Sequence, residues 1–129
     1  MTTEQLRKYA EKYAKTGFGS WMSEIDWKKY PVKWIDGPGM GSRWFTNSIW
    51  IDPESATMTE NMIFNTYIHE LRHIWQRKRQ GAIIYALKNI TQINEPDAVK
   101  AGLDAANWFG DEKVRKMREV LANRRKTTV

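Results

Sequence analysis

His69 and His73 are the two histidines of this chain, and they flank a glutamate in His69-Glu70-Leu71-Arg72-His73. Four residues make about one helical turn, so both imidazoles project from one face of a helix toward a common point. In this HExxH pattern the two imidazoles ligate a divalent cation at about 2.0–2.1 Å while the glutamate between them handles protons. Glu70 follows His69 directly and so points about 100° around the helix, within reach of a water at the ion rather than of the ion itself. Two ligands do not hold a catalytic zinc. The chain has no cysteine and no further histidine, so the third must come from Asp, Glu or another oxygen donor.

Glu95 is the best candidate, 22 residues after His73 in Asn94-Glu95-Pro96-Asp97-Ala98. Proline is favoured just inside a helix start, which makes Asn94 or Glu95 the cap and gives Glu95 a defined orientation. Ala98, one turn on, allows this helix to approach the motif helix closely. Asp97 is the main competitor for the ligand role, and Asp104 a weaker one.

These residues need elements to position them. Leu6, Tyr9, Ala10, Tyr13 and Ala14 recur at helical spacing, after Thr2-Thr3-Glu4 as a capping signal and before Gly17 as a stop. The tryptophan-rich stretch that follows has no clean period, and Trp21, Met22, Ile25 and Trp27 are expected to cover the core. From Val32 the pattern changes to short runs of aromatic and β-branched residues: Val32 and Trp34, then Arg43 to Thr46, then Ser48 to Asp52. Gly37 to Gly41, Asn47 and Pro53 separate them. These predict two or three short antiparallel strands, because parallel pairing needs longer crossovers.

Thr57 followed by Glu60 reads as a capping box opening the motif helix, whose Ile63, Phe64, Tyr67, Ile68, Leu71, Ile74 and Trp75 form a broad apolar arc. Arg77, Lys78 and Arg79 suit its C-terminal dipole and Gly81 its stop. Ile83 to Ile93 and Glu95 to Phe109 are helix-compatible. Gly110 is expected to separate a last basic amphipathic helix carrying Val114, Met117 and Leu121.

At 129 residues the chain fits one α+β domain spanning 1–129, and seven tryptophans with 41% hydrophobic residues argue against disorder. Without cysteine there are no disulfides, thiolate ligands or cysteine nucleophile. No signal-like segment or apolar run of about 18–20 residues is present, so the expectation is a cytoplasmic protein with no membrane partner. The net charge of +6 favours anionic partners only where cations cluster, mainly at Arg77-Lys78-Arg79 and from Lys113 to Lys126.

The segment Tyr67 to Gln76, followed by Glu95-Pro96-Asp97-Ala98, resembles the zincin metallopeptidases, in particular the small gluzincin-like domains of bacteria and their phages. The resemblance covers roughly Val32 to Phe109. It implies a minimal zincin-like fold, a short antiparallel sheet packed on a buried HExxH helix with further helices after it. It also implies peptide-bond hydrolysis, with zinc held by His69, His73 and Glu95 and with Glu70 as general base.

A peptide or protein substrate would lie along an edge strand, for which Ser48 to Asp52 is the candidate, with Ile49, Trp50 and Ile51 as substrate-binding residues. Tyr85 and Tyr67 are both available to stabilise an oxyanion, and spacing does not choose between them. With no third histidine, the metzincin type and the DNA-repair proteases with an all-histidine site are poor matches. Where many gluzincins place an aspartate four residues after the glutamate ligand the chain has Val99, which leaves the groups that orient the imidazoles unassigned.

Two rival classes stand beside this reading. One is a non-catalytic zincin-like domain used for binding or assembly. The other is a basic nucleic-acid-associated protein in which HExxH is accidental, less favoured because no recognised binding module accompanies the charge.

Overall fold

A computed structural model describes residues 1–34, 41–43, 48–51, 59–90 and 93–127. The first helix, α1 (Thr3–Ala14), opens on a capping box in which Thr2 and Gln5 satisfy each other's backbone N–H groups. Leu6, Ala10 and Tyr13, the stripe read from the sequence, are fully buried. The chain then turns tightly at Gly19, where a Cβ would meet the Tyr13 carbonyl oxygen at 2.2 Å. Two short 3₁₀ turns, Ser20–Glu24 and Trp27–Lys29, follow. They bring Met22, Ile25 and Trp27 into the core, with Trp21 packed against it, as expected.

Strands β1 (Val32–Trp34), β2 (Gly41–Arg43) and β3 (Ser48–Ile51) form one sheet in the order β1-β3-β2. β2 pairs with β3 antiparallel, Ser42 opposite Ile49, but β1 pairs with β3 in parallel, Val32 opposite Ile49 and Trp34 opposite Ile51. The expected all-antiparallel sheet is therefore corrected to a mixed one. Thirteen residues separate Trp34 from Ser48, and a parallel crossover takes about a dozen. Gly37 to Gly41 and Asn47 were expected only to separate consecutive strands, whereas the chain between β1 and β3 is a crossover that includes β2.

β3 is not the expected edge strand but the centre of the sheet, hydrogen-bonded on both sides. The strand expected over 44–46, the turn at 37–40 and the boundary at 52–53 lie outside the described residues.

The motif helix α2 (Glu60–Gln80) starts from Thr59, whose hydroxyl accepts the Met62 N–H at 3.3 Å; Thr57 lies outside the described residues. Its apolar arc, Ile63, Phe64, Tyr67, Ile68, Leu71 and Ile74, is buried against the first 3₁₀ turn, the sheet and α4, with Phe64 also meeting Tyr13 of α1. Gly81 ends it at φ +82°, with its N–H on the Arg77 carbonyl. The next helix, α3 (Ala82–Ile90), returns the chain over one side of α2.

The last helix, α4 (Glu95–Thr127), runs unbroken for 33 residues, about 50 Å, through Gly110. The expected helix boundary there is corrected. Gly110 stays helical because Phe109 beside it is buried, and a Cβ at Gly110 would come within 3.1 Å of Asn61. Tertiary contact thus outweighs the roughly 1 kcal/mol by which glycine disfavours a helix interior.

Ala98, Ala101 and Ala105 line the face that α4 turns to α2, and at Gly102 a Cβ would lie 2.3 Å from the Asn65 side chain. Small residues therefore set the close approach of the two helices. Further along, Phe64 stacks on Phe109 with centroids 5.2 Å apart and meets Tyr13 edge-on at 5.9 Å, joining α1, α2 and α4. The architecture is α+β and mostly helical.

Candidate metal centre

Helical geometry places His69 and His73 on the side of α2 where α3 returns to α4, with ring centroids 4.9 Å apart. Glu95, the first residue of α4, arrives between them. Its Oε1 lies 2.8 Å from His69 Nε2, and its Oε2 lies 3.1 Å from His73 Nε2. The two Nε2 atoms are 3.2 Å apart. Donors held at about 2.0–2.1 Å around a tetrahedral ion are separated by about 3.3 Å, so this set has the dimensions of a three-ligand cation site. Among the described residues, His69, His73 and Glu95 are the group of side chains arranged to hold a metal ion.

Asp97 is not part of it. Its carboxylate takes a two-point ion pair from Arg72, Nε at 2.7 Å and Nη2 at 3.1 Å, and also accepts from Gln76 Nε2 at 2.8 Å. The Arg72 hydrogen bonds hold the Asp97 carboxyl below its usual range. Arg72 in turn lies over the Trp75 ring, 3.7 Å from its centroid, and 5.0 Å from that of Trp21. Asp104 is also outside the group. Glu95 is thus the candidate ligand that the fold brings to the histidines.

Glu70 sits one residue around the helix with a largely buried side chain, its Oε1 3.9 Å from His69 Nε2. It adjoins, without joining, the group of His69, His73 and Glu95. The two tyrosines separate clearly. Tyr67 is buried in the core near Arg7 of α1, and burial pushes its phenol up to about 12. Tyr85 projects from α3 toward the site, its ring 6.3 Å from that of His73. Its phenol is also pushed up to about 12, by burial first and then by the negative charges of Glu70 and Glu95, with Arg77 opposing. It remains a hydrogen-bond donor at any physiological pH.

The expected substrate-binding residues Ile49, Trp50 and Ile51 lie on the central strand. Ile49 and Ile51 are fully buried in the core, so the edge-strand role read from the sequence does not apply to them.

Gln76, not singled out in the sequence, also adjoins the site. Buried three residues past His73, it accepts from the ring at Nδ1, 2.9 Å away, and donates to the Asn94 carbonyl at 2.9 Å. Its i+3 spacing was the available signal. The Arg72–Asp97 pair was missed too, although opposite charges in a motif helix and in the first turn of its partner were visible.

The basic clusters are partly engaged. Lys78 donates to the Glu24 carbonyl, Arg79 pairs with Glu24 at 3.7 Å, Lys113 with Glu60, and Arg115 with Glu112 and Glu119. No helix among the described residues is long and apolar enough to cross a membrane. No protein family, curated protein or solved structure matches the chain.

Proposed function

We propose that the protein is a zinc-dependent metallopeptidase of the zincin type. The observation that carries the reading is the meeting of His69, His73 and Glu95 from two helices, with Glu70 beside them on the adjoining face. Two nitrogen donors and one oxygen donor suit zinc, and three protein ligands leave a coordination position for water, as catalytic rather than structural zinc sites require. Bound there, zinc would act as a Lewis acid, lowering the pKa of water to about 7.

The protein's own groups supply the rest. Glu70 accepts a proton from the attacking water as its oxygen bonds to the scissile carbonyl carbon, then delivers that proton to the leaving nitrogen as the C–N bond breaks. Tyr85 donates its phenolic hydrogen to the carbonyl oxygen as negative charge develops there. A phenol, which ordinarily ionises near 10, keeps that hydrogen at neutral pH. Tyr67 faces the core and has no part in the reaction.

The test compares the zinc-loaded wild type with Glu70→Gln on a peptide library read by mass spectrometry. Cleavage by the wild type and its loss in Glu70→Gln, at equal zinc content, supports the reading. Zinc-loaded wild type that cleaves nothing more than the variant sinks it, and favours a domain that retains the centre for binding or assembly.

A further inference from the structure

We propose that Gln76 is a positioning residue that fixes His73 in the tautomer protonated on Nδ1, leaving Nε2 bare toward Glu95 and His69. The inference rests on the metal-centre reading above and adds to it how the second histidine is held ready.

Gln76 is 2% exposed, so its amide must be satisfied within the protein. Its Nε2 carries two hydrogens and meets two acceptors, the Asn94 carbonyl oxygen at 2.9 Å and Asp97 Oδ2 at 2.8 Å. Neither acceptor can donate, so turning the amide over would set its oxygen against two oxygens. The network therefore assigns which end of the amide is which. Oε1 faces His73 Nδ1 at 2.9 Å and must accept, so Nδ1 must carry the hydrogen.

A neutral imidazole has one N–H, and its other nitrogen is a lone-pair donor. In His73 that nitrogen, Nε2, stands 3.1 Å from Glu95 Oε2 and 3.2 Å from His69 Nε2. The Glu95 oxygens, at 3.1 and 3.3 Å, compete for a hydrogen on that nitrogen, so the Gln76 acceptor is what draws it to Nδ1, and a cation shared between Nε2 and Glu95 completes the preference.

The amide is itself held. Asp97 is locked by the two-point pair with Arg72, which is stacked on Trp75 and Trp21. Asn94, 4% exposed, is tied by its side chain to Gln80 at 2.9 Å. Orientation thus passes from the tryptophans through Arg72, Asp97 and Gln76 to His73. A partner behind a metal-bound imidazole that fixes its tautomer is typically worth 10- to 100-fold in metal affinity. Here that partner is a neutral amide three residues along the same helix.

The experiment uses the full-length chain, labelled with ¹⁵N and free of metal, at about pH 9, above the ordinary imidazole range near 6.5. Long-range ¹H–¹⁵N correlation reads the tautomer of each histidine. In the wild type His73 should be wholly Nδ1–H, and in Gln76→Leu a mixture. Calorimetric titration with zinc chloride alone should show affinity weakened about 10- to 100-fold in the variant.

Should Gln76→Leu fail to fold by circular dichroism, Asp97→Ala, at an exposed position, replaces it. Releasing one hydrogen of the amide should again mix the tautomers. A wild-type His73 that is Nε2–H or mixed, or variants that leave both tautomer and zinc affinity unchanged, overturns the inference. Wild type that binds no zinc overturns the metal-centre reading instead, and the tautomer populations still decide the role of Gln76.

Discussion

The Glu95 carboxylate stands 2.8 Å from the Nε2 of His69, a residue 26 positions earlier on a different helix. Neither the HExxH turn nor the first turn of α4 makes a cation site alone; their contact does.

Replacing Glu95 with Ala removes one of three ligands and should weaken zinc binding at least about 100-fold, beyond what loss of an orienting partner costs. Asp104→Ala should leave it unchanged. Zinc retention after dialysis, measured by inductively coupled plasma mass spectrometry, checks both. Equal retention in Glu95→Ala and wild type would move the third ligand elsewhere.

Tyr85→Phe keeps the ring against His73 and removes only the hydroxyl. If that hydroxyl serves the developing oxyanion, kcat should fall by about 100-fold while KM and zinc content hold, as for removal of a single oxyanion donor elsewhere. Tyr67→Phe should leave kcat alone. Steady-state kinetics on one cleaved peptide separates the two tyrosines.

Tyr13, Tyr67 and Tyr85 have phenols pushed up to about 12 from an ordinary 10.0, in each case chiefly by burial. A folded-state pKa raised in this way contributes stability that is fully present below pH 10 and is lost as the pH rises through 12. Alkaline unfolding should therefore set in between pH 10 and pH 12. Ultraviolet titration should show three tyrosines ionising only as circular dichroism reports loss of helix. Smooth titration of all five tyrosines near pH 10 in the folded protein would contradict this.

Two glycines of α4 should respond in opposite directions to alanine. At Gly102 a Cβ would lie 2.3 Å from the Asn65 side-chain oxygen and 3.0 Å from its backbone oxygen. Gly102→Ala should therefore cost about 1–2 kcal/mol, overpacking exceeding the gain in helix propensity. At Gly110 the nearest atom is the end of the Asn61 side chain at 3.1 Å, with no backbone atom of α2 near, so Gly110→Ala should be neutral or stabilising by up to about 1 kcal/mol. Chemical denaturation of both variants gives the comparison.

The candidate ligands were legible because they depend on local rules. A four-residue spacing fixes two imidazoles on one helix, and Pro96 marks a helix start at Glu95. The helices α1 and α2 and the core role of Met22, Ile25 and Trp27 were legible from periodicity and composition. What remained closed depends on neighbours distant in sequence. Tyr67 and Tyr85 are equivalent by spacing, and only the packing of α1 and α3 sends one toward Arg7 and the other toward His73. The sheet order was hidden because a crossover containing β2 reads in sequence like consecutive strands with separators between them. Gly110 looked like a stop because the Asn61 side chain that borders it belongs to another helix. Gln76 was present in the motif, but its role requires knowing that the Asn94 carbonyl and Asp97 occupy its amide hydrogens.

Gly81 carries no side chain, has no heavy atom within 4 Å of where a Cβ would be, and holds φ +82° with ψ 156°, a region essentially reserved for glycine. It is also the joint from which the polypeptide doubles back to deliver Glu95. In a saturation-mutagenesis map scored by metal retention, this exposed and uncrowded position would group with the liganding residues rather than with its solvent-facing neighbours. Chelation here is encoded partly in a torsion angle.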